Sequence, residues 1–330
     1  MRGLAVVTGG GGFLGRHVCA ALVQAGWRVR ALDLRFEAEP EGEAVEGSIL
    51  DEALLAETLH GASAVVHAAA IAELWTKDAA DYQRVNADGT ARVAAAARKA
   101  GARLAHVSSY TTLVSGPDRP ERTLDETAEI DPANLLGAYP QSKRRGELAV
   151  LAEVERGLEA SILLPSSPVG PGDLRLTPPS KMIRDFARGA LPAYLDCLMN
   201  LVDVRAVAAG IVAALERGAR GGRYLLSGDD LPLAEVAAKI SAVTGVPAPK
   251  ARAPYRLAWC AARAEAELSR LTGKPPAAPL TGVRLAGRRV RFSNQRARQE
   301  LGFAPPPIDQ ALKDALDWMA AEGLIPQLAG

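Results

Sequence analysis

Tyr139 and Lys143 are the side chains whose types and spacing best suit proton transfer in this chain. They stand four residues apart, so a helix there would place both on one face. A tyrosine hydroxyl titrates at about 10 in water, which is too high for ready proton exchange at neutral pH. A neighbouring ammonium group favours the phenolate and lowers that pKa. We therefore expect Tyr139 to donate a proton to a developing alkoxide, or to take one from an alcohol.

Ser109 is the third residue that this chemistry needs. It ends the apolar run Leu104–Ser109, which predicts a strand. The carboxyl end of a parallel strand is the edge at which ligands bind. There the serine hydroxyl would hold a substrate oxygen beside the phenol. Ser109, Tyr139 and Lys143 are the predicted catalytic set.

A glycine-rich turn near the start of the chain predicts the cofactor that accompanies this proton chemistry. The apolar run Leu4–Thr8 leads into glycines at positions 9, 12 and 15, and a helical pattern follows from His17. Between a strand and a helix, this pattern indicates a dinucleotide pyrophosphate site. Gly9 would permit the tight turn, Gly12 the approach of the pyrophosphate, and Gly15 close packing of helix on strand. An oxidised nicotinamide beside the phenol would also favour the phenolate.

Asp33 favours NAD over NADP. It ends the second predicted strand, Trp27–Asp33, and follows Gly15 by 18 residues, near the spacing at which an acidic residue binds the ribose hydroxyls of NAD. Its carboxylate would repel the additional phosphate of NADP. Arg30 and Arg35 lie close enough to bind that phosphate, so NADP is left open as an alternative.

The elements that must position these residues alternate between strand and helix up to about residue 170. That alternation predicts an α/β fold, a Rossmann-type doubly wound parallel sheet with helices on both faces. Further strands are predicted at 64–70 and 160–164, and helices at 50–59, 82–100 and 141–155. Residues 165–180 are rich in proline and glycine and are expected to form a shaped loop and no helix.

The rest of the chain predicts a smaller C-terminal substrate-binding cap. Residues 1–170 are assigned to the NAD(P)-binding Rossmann domain, with strands at 201–204 and 223–226 returning to its sheet from about 200–228. Residues 171–199 and 229–330 are assigned to the cap, which contains an amphipathic helix at 309–322.

Six segments resemble the extended short-chain dehydrogenase/reductases, the NAD-dependent epimerase/dehydratase family. They are residues 8–15, 67–70, 86–90, 108–109, 139–143 and 165–173, and the resemblance covers nearly the whole chain. Residues 163–230 are most similar to the group that contains hopanoid-associated sugar epimerases, dihydroflavonol reductases and 3β-hydroxysteroid dehydrogenases. The family implies a Rossmann-type fold, a bound nicotinamide cofactor and a Ser–Tyr–Lys catalytic set.

The resemblance also implies which residues surround the cofactor. Lys143 would bond the nicotinamide ribose, Asp51 would lie near the adenine, and Asn86 would bend its helix and support a proton relay. A homodimer formed through two helices is usual in the family. The implied cofactor-binding set is Gly9, Gly12, Phe13, Leu14, Gly15, Asp33, Arg35, Ile49, Asp51, Ala68, Ala69, Ala70, Asn86, Lys143, Pro165, Ser166 and Ser167.

We expect an NAD(P)-dependent oxidoreductase that interconverts a secondary alcohol and a ketone by hydride transfer. Nucleotide-sugar enzymes of the family usually carry an Arg-Asp pair that grips the diphosphate, whereas this chain has Met199–Ala206 in that region. The substrate side is apolar, although most of its residues are expected in the core. These residues are Val169, Leu174, Leu176, Met182, Ile183, Phe186, Leu191, Tyr194, Leu195 and Leu198.

This pattern favours a lipid-like or polycyclic substrate: a steroid, terpenoid, flavonoid or long-chain keto-lipid. One alternative is a sugar or nucleotide-sugar epimerase or dehydratase with tightly held NAD. A second alternative, of another class, is a non-catalytic cofactor-sensing protein.

Composition argues against several other classes. No apolar run reaches the ~18–20 residues that cross a bilayer, and the chain enters a strand at once, so no signal peptide is predicted and a cytoplasmic protein is expected. The three cysteines and four histidines are scattered, so neither a disulfide framework nor a metal site is predicted. Few aromatic residues accompany the basic ones, so no nucleic-acid partner is expected.

A basic segment, residues 248–298, stands apart from a chain whose net charge is only +1. It contains twelve basic and two acidic residues, a local charge of +10. A solvated surface is the favoured interpretation, and attraction to an anionic substrate or membrane surface is the alternative.

Part of this segment has the pattern of an amphipathic helix. Leu257, Ala261, Ala264, Leu268 and Leu271 recur at helical spacing beside a basic row of Arg256, Arg263 and Arg270. A helix whose apolar face packs on the core is favoured, and peripheral membrane contact is the alternative.

Overall fold

A sheet of seven parallel strands forms the centre of the protein, in a computed structural model that describes residues 2–116 and 121–328. Across the sheet the strands lie in the order β11 (Arg223–Leu226), β7 (Ala160–Pro165), β5 (Arg103–Val107), β4 (Ala62–His67), β1 (Leu4–Thr8), β2 (Arg28–Asp33) and β3 (Glu43–Glu46). The direction in which strands are added reverses between β1 and β4. Ligands bind at such a switch point, outside the carboxyl ends of the strands. The predicted doubly wound parallel sheet is confirmed.

Both faces of this sheet are covered, which explains why β1 is buried along its whole length. Its side chains alternate between faces. Ala5 and Val7 pack in one apolar cluster with α1 (Phe13–Gln24) and α7 (Val204–Arg217). Leu4 and Val6 pack in the other with α2 (Glu52–Thr58), α4 (Thr90–Ala100) and α5 (Ala138–Glu155). A short helix, α3 (Ala80–Tyr82), continues through a π-helical turn, residues 83–89, into α4.

A second layer of smaller elements lies beyond the carboxyl ends of the main strands. Its core joins α6 (Pro178–Ala187), α8 (Leu233–Thr244) and α11 (Asp309–Ala321) through Ile183, Val236 and Leu312. A three-stranded sheet packs with them and contains β8 (Ser167–Val169), β10 (Leu198–Asp203) and β12 (Asp229–Pro232). Two further strand pairs are β9 (Ala193–Leu195) with β13 (Ala251–Ala253), and β6 (Arg122–Leu124) with β14 (Val290–Phe292). The remaining helices are α9 (Tyr255–Thr272) and α10 (Leu280–Ala286).

One predicted strand joins a different sheet. Residues 201–204 were expected to return to the main sheet, but β10 pairs with β8 and β12, and only β11 joins the main sheet. Leu201 pairs with Ser167, just past the end of β7. Only Ser166 separates β7 from β8, and β8 already belongs to the second sheet. The division into a domain over 1–170 and a cap stays a prediction.

The loop predicted at 165–180 contains more regular structure than expected. β8 lies within it, and α6 begins at Pro178, inside the segment that was expected to hold no helix. Two prolines start this helix. Proline is tolerated there because the first helical turn uses none of its own N–H groups in intrahelical bonds.

Helix α9 buries a different face from the predicted one. Ala262 and Ser269 are its buried residues, whereas Leu257, Leu268 and Leu271 are exposed. The favoured interpretation, an apolar face packed on the core, is therefore wrong. Within the described residues, no helix is long and apolar enough to span a membrane.

Candidate active site

Ser109 lies two residues beyond the carboxyl end of β5, at the edge where it was predicted. Its side chain is buried, and its Oγ accepts hydrogen bonds from the backbone N–H of Thr111 and from the Thr111 hydroxyl, 3.0 Å away. A short 3₁₀ turn, residues 110–113, begins at this serine, which caps it. Ser109 also acts on Tyr139, because its hydroxyl favours the phenolate and lowers the pKa of the tyrosine.

Tyr139 stands in the first turn of α5. It lies two residues before position 141, where the helix was predicted to begin. Gly137 precedes the helix with φ of 124°, a value that favours glycine. Pro140 follows Tyr139 within the first turn, where its missing N–H costs nothing. The tyrosine ring is half-buried and meets Tyr82 edge to face, with ring centroids 6.1 Å apart.

Lys143 is one turn further along α5 and is buried. Its Nζ donates a hydrogen bond to the carbonyl of Val107, the last residue of β5, at 2.7 Å. Ser109, Tyr139 and Lys143 all line one cavity of about 390 Å³. The structure therefore brings the three predicted catalytic residues together.

The pKa values of the pair are set mainly by burial. Burial raises the pKa of Tyr139 to about 12, and the hydrogen bond with Ser109 acts against that rise. Burial lowers the pKa of Lys143 to about 8, and the Glu147 carboxylate opposes the change. In the protein without cofactor, burial thus keeps the Tyr139 phenol protonated. The sequence predicted that Lys143 would lower the pKa of Tyr139, but the protein groups alone do not produce that lowering.

Glu147 is a residue that the sequence reasoning missed. It is fully buried, accepts a hydrogen bond from the Ser108 hydroxyl at 2.5 Å, and pairs with Arg144 at 2.8 Å and Arg223 at 3.1 Å. The network ties α5 to the ends of β5 and β11. Its signal in the sequence was the spacing of four residues from Lys143, which places Glu147 on the same helix face.

Asn86 lies in the π-helical turn between α3 and α4, so the predicted distortion of its helix is present. Its side chain accepts from the Ile71 N–H at 2.8 Å and donates to the Ile71 carbonyl at 3.0 Å. The amide also donates to the Ser142 hydroxyl at 3.1 Å, so it joins the segment after β4 to α5. Its part in a proton relay stays a prediction.

The glycine-rich turn connects β1 to α1 as predicted. Gly9 has φ of 76°, and a Cβ there would lie 2.5 Å from the Ala69 nitrogen. A Cβ on Gly15 would lie within 2 Å of the Gly9 carbonyl oxygen (1.9 Å), so the helix can approach the strand only with glycine at this position. Gly12 caps α1, and the first residues of this helix line the cavity, where a helix N-terminus favours an anion. This backbone cradle fits the pyrophosphate of a dinucleotide.

Asp33 ends β2 beside this turn. One carboxylate oxygen accepts the Gly11 N–H at 3.0 Å, and the other accepts the Leu34 N–H at 2.8 Å. Arg35 pairs with Glu37 at 3.0 Å, and Arg30 pairs with Glu43 at 2.8 Å. The two arginines that kept NADP open as an alternative are therefore engaged with carboxylates.

The predicted cofactor residues fall into two groups according to whether they line the cavity. Those lining the cavity with the catalytic residues are Gly9, Gly12, Phe13, Leu14, Gly15, Ala68, Ala70, Pro165, Ser166 and Ser167. Asp33, Arg35, Ile49, Asp51, Ala69 and Asn86 lie outside the lining. Asp51 caps α2 by accepting the N–H groups of Ala53 and Leu54, both at 3.0 Å. A role near the adenine stays a prediction.

The far wall of the cavity is mostly apolar, whereas most of the apolar residues considered for the substrate side lie in the core, as the favoured interpretation expected. Of the ten apolar residues expected on the substrate side, only Leu198 is among the lining residues that the structure describes. The others include Val169, Ile183 and Phe186, which are buried in the core of the second layer. Apolar lining comes instead from Leu74, Val114, Met199, Leu285, Val290 and Phe292. Met199 lies in β10, Leu285 in α10, and Val290 and Phe292 in β14, so the lining comes from elements distant in sequence and no local pattern marked it.

Comparisons with known proteins agree with this geometry. The model of the NAD-dependent epimerase/dehydratase family matches residues 5–227. The chain is 35% identical to a Synechocystis sp. protein named "Putative dihydroflavonol 4-reductase", over 97% of this chain and 95% of the relative. It is 30% identical to the sterol demethylase protein B of Methylococcus capsulatus, over 97% of this chain and 99% of the relative.

Solved structures give the same result for the fold. The structure of gox2253 has a TM-score of 0.85 and 33% identity, and the match covers 98% of this chain and 99% of that chain. MoeE5 in complex with UDP-glucose and NAD has a TM-score of 0.77 and 22% identity, over 96% and 99% of the two chains. The second likeness concerns the fold alone.

The family match covers more than half of the chain, and it includes the glycine-rich turn, the switch point and the Ser–Tyr–Lys set. The chain belongs to the NAD-dependent epimerase/dehydratase family of extended short-chain dehydrogenase/reductases, and it is a nicotinamide-dependent enzyme that acts on alcohol or ketone groups.

Proposed function

We propose that the protein is an NAD(P)-dependent reductase that interconverts a ketone and a secondary alcohol on a lipid-like or polycyclic substrate. The observation that carries the proposal is that Ser109, Tyr139 and Lys143 line one cavity whose far wall is mainly apolar. An apolar cavity with a few convergent polar groups suits a lipophilic molecule whose one polar atom is held at the reacting end.

In the proposed reaction Tyr139 donates its proton to the oxygen of the ketone. Ser109 hydrogen-bonds the same oxygen and holds it against the phenol. Lys143, protonated below a pKa of about 8, would bond the nicotinamide ribose and favour the phenolate once the proton has left. The nicotinamide would supply the hydride when the dinucleotide is bound with its pyrophosphate on the turn that contains Gly9, Gly12 and Gly15. In the opposite direction Tyr139 removes the proton of the alcohol.

The protonated phenol can serve as the proton donor that ketone reduction needs. A pKa of about 12 keeps Tyr139 as a proton donor at neutral pH. A ketone needs such a donor because negative charge develops on its oxygen as the hydride arrives. The names of two relatives support a polycyclic substrate, since one is a dihydroflavonol reductase by name and the other belongs to sterol demethylation by name.

A sugar or nucleotide-sugar epimerase is the second candidate, and the arginines of the cavity favour it. Arg175, Arg288 and Arg289 are among the lining residues, and guanidinium groups bind diphosphates well. Against it, Arg175 pairs with Glu37 at 3.2 Å and Arg289 with Asp196 at 3.1 Å. Both arginines would have to leave a carboxylate before they could grip a diphosphate.

Cofactor exchange separates the two candidates. The purified enzyme is titrated with NADH and NADPH, and its native mass is measured before and after. A reductase exchanges its cofactor freely and oxidises added NADH or NADPH when a lipophilic ketone is present. A nucleotide that co-purifies and does not exchange, with no net oxidation and with conversion of a nucleotide-sugar, would contradict the proposal. Homodimer formation and the preference for NAD stay predictions.

A further inference from the structure

Helix α9 presents an apolar face to solvent. Five of its residues recur at intervals of four and three positions, which places them in one stripe along the helix. The apolar stripe consists of Leu257, Ala261, Ala264, Leu268 and Leu271, and all five are exposed. The exposed fractions of the three leucines are 67%, 58% and 85% in chain order. Single exposed leucines are ordinary, but a stripe along most of an 18-residue helix marks an interaction surface.

Basic side chains border this stripe on one side. Arg256, Arg263 and Arg270 are spaced by seven residues and form a row, and all are exposed. Glu267 pairs with two members of the row, Arg263 at 3.5 Å and Arg270 at 2.9 Å. Among residues 2–116 and 121–328, the ion pairs involve neither Arg256 nor Lys274, which follows the helix. The border of the stripe is therefore net positive.

We propose that α9 is a docking surface for an anionic lipid bilayer. The apolar stripe would enter the region between headgroups and acyl chains, and the arginine row would lie at the level of the phosphates. Charge complementarity favours an anionic lipid surface over a second copy of the chain as the occupant of the stripe. A second copy of the chain packed on the same stripe would bring two arginine rows together, whereas an anionic surface neutralises them.

The position of α9 connects docking to the cavity. Its buried face packs on α10, and Gly282, Leu285 and Ala286 of α10 line the cavity. Docking would hold one wall of the cavity close to the lipid in which a lipophilic ketone is dissolved. This connection rests on the proposed function. Binding to vesicles needs no substrate, so the failure of one proposal is visible separately from the failure of the other.

Vesicle sedimentation with the full-length protein tests the docking surface. Vesicles of phosphatidylcholine alone are compared with an equal mixture of phosphatidylcholine and phosphatidylglycerol, at low and high salt. The test variant is Leu268→Gln with Leu271→Gln, and a second variant is Arg256→Gln with Arg263→Gln. Val23→Gln is the control, because Val23 is an exposed apolar residue (39%) on α1. Binding of NADH by each variant shows that it is folded.

We expect binding to the anionic vesicles only, with loss at high salt. Each arginine removed should weaken binding about fivefold, and the double leucine variant at least about tenfold, while Val23→Gln binds like the unchanged protein. The proposal is overturned if the protein binds neither kind of vesicle, or if the leucine variant binds as well as the control. It is also overturned if light scattering shows a dimer that the leucine variant separates, because a second copy would then occupy the stripe.

Discussion

Replacement of Glu147 by glutamine should destabilise the protein far more than the same change at Glu153. Both carboxylates lie on α5, and each pairs with two arginines at similar distances, 2.8 and 3.1 Å for Glu147 and 2.6 and 2.7 Å for Glu153. The two sites differ in the exposure of the arginine partners to solvent. The arginine partners of Glu147 are 6% and 9% exposed, and those of Glu153 are 34% and 66% exposed.

The magnitude follows from the charges that are left behind. Glutamine keeps the shape of Glu147 but leaves Arg144 and Arg223 without their buried counter-charge, and breaking a buried pair costs about 3–5 kcal/mol. Water screens the partners of Glu153, where the loss should be about 1 kcal/mol. Free energies of unfolding from urea denaturation, compared at equal m-values, measure both losses.

Activity gives a second readout of the same change. The Glu147 carboxylate supports the protonated form of Lys143, whose pKa burial lowers to about 8. Without that carboxylate the Lys143 pKa should fall further, so the alkaline limb of the pH–activity profile should move to lower pH. Equal losses of stability for Glu147→Gln and Glu153→Gln, or an unmoved alkaline limb, would refute this reasoning.

Three further predictions concern protonation and cofactor choice. Lys143 loses its proton as pH rises through about 8, so the Kd for NADH should rise above that pH in fluorescence titrations, and a flat profile to pH 10 (about two units above it) would argue against a ribose contact. Burial, with the nearby Lys143 charge, lowers the pKa of His67 to about 3 from 6.5, so the folded state resists protonation. Stability should therefore fall as pH drops below 6.5, by up to about 1.4 kcal/mol per pH unit from this residue. His67→Gln should remove that part of the slope in urea titrations at several pH values, and an identical slope would contradict it. Asp33→Ser removes the carboxylate that is predicted to repel a ribose phosphate, and it should shift the NADH-to-NADPH ratio of Kd values by about tenfold toward NADPH. An unchanged ratio would mean that Arg30 or Arg35 sets the preference.

The sequence was sufficient for the parts of the site that local patterns control. The alternation of strands and helices predicted the sheet, because buried parallel strands and amphipathic helices have distinct periodicities. The rule that ligands bind at carboxyl ends then placed Ser109 beside the helix of Tyr139 and Lys143. The glycine positions followed from steric needs, which the close approach of Gly15 to Gly9 illustrates.

Features decided by distant partners were missed. β3 has mostly exposed residues and no apolar pattern, so only its pairing with β2 reveals it. The stripe on α9 correctly indicated an amphipathic helix, but the buried face was set by close packing of the small residues Ala262 and Ser269. Glu147 gains its importance from Arg223, which lies far along the chain on β11.

The direction of the pKa shift of Tyr139 was also not predictable from the sequence. The four-residue spacing predicted that the Lys143 ammonium would act on the phenol, but its Nζ donates to the Val107 carbonyl. Burial then dominates and raises the phenol pKa. The depth at which a helix places a side chain depends on everything packed around it, which spacing alone does not contain.

Tyr139→Phe tests the central claim most directly, because it removes the proton donor and keeps the ring. Oxidation of NADH or NADPH is followed with a panel of lipophilic ketones, and Kd for the cofactor is measured for both proteins. We predict that the unchanged enzyme turns over at least one of these ketones, and that Tyr139→Phe loses at least about 100-fold in kcat with an unchanged cofactor Kd. Normal turnover by Tyr139→Phe would show that another group supplies the proton and would contradict the mechanism.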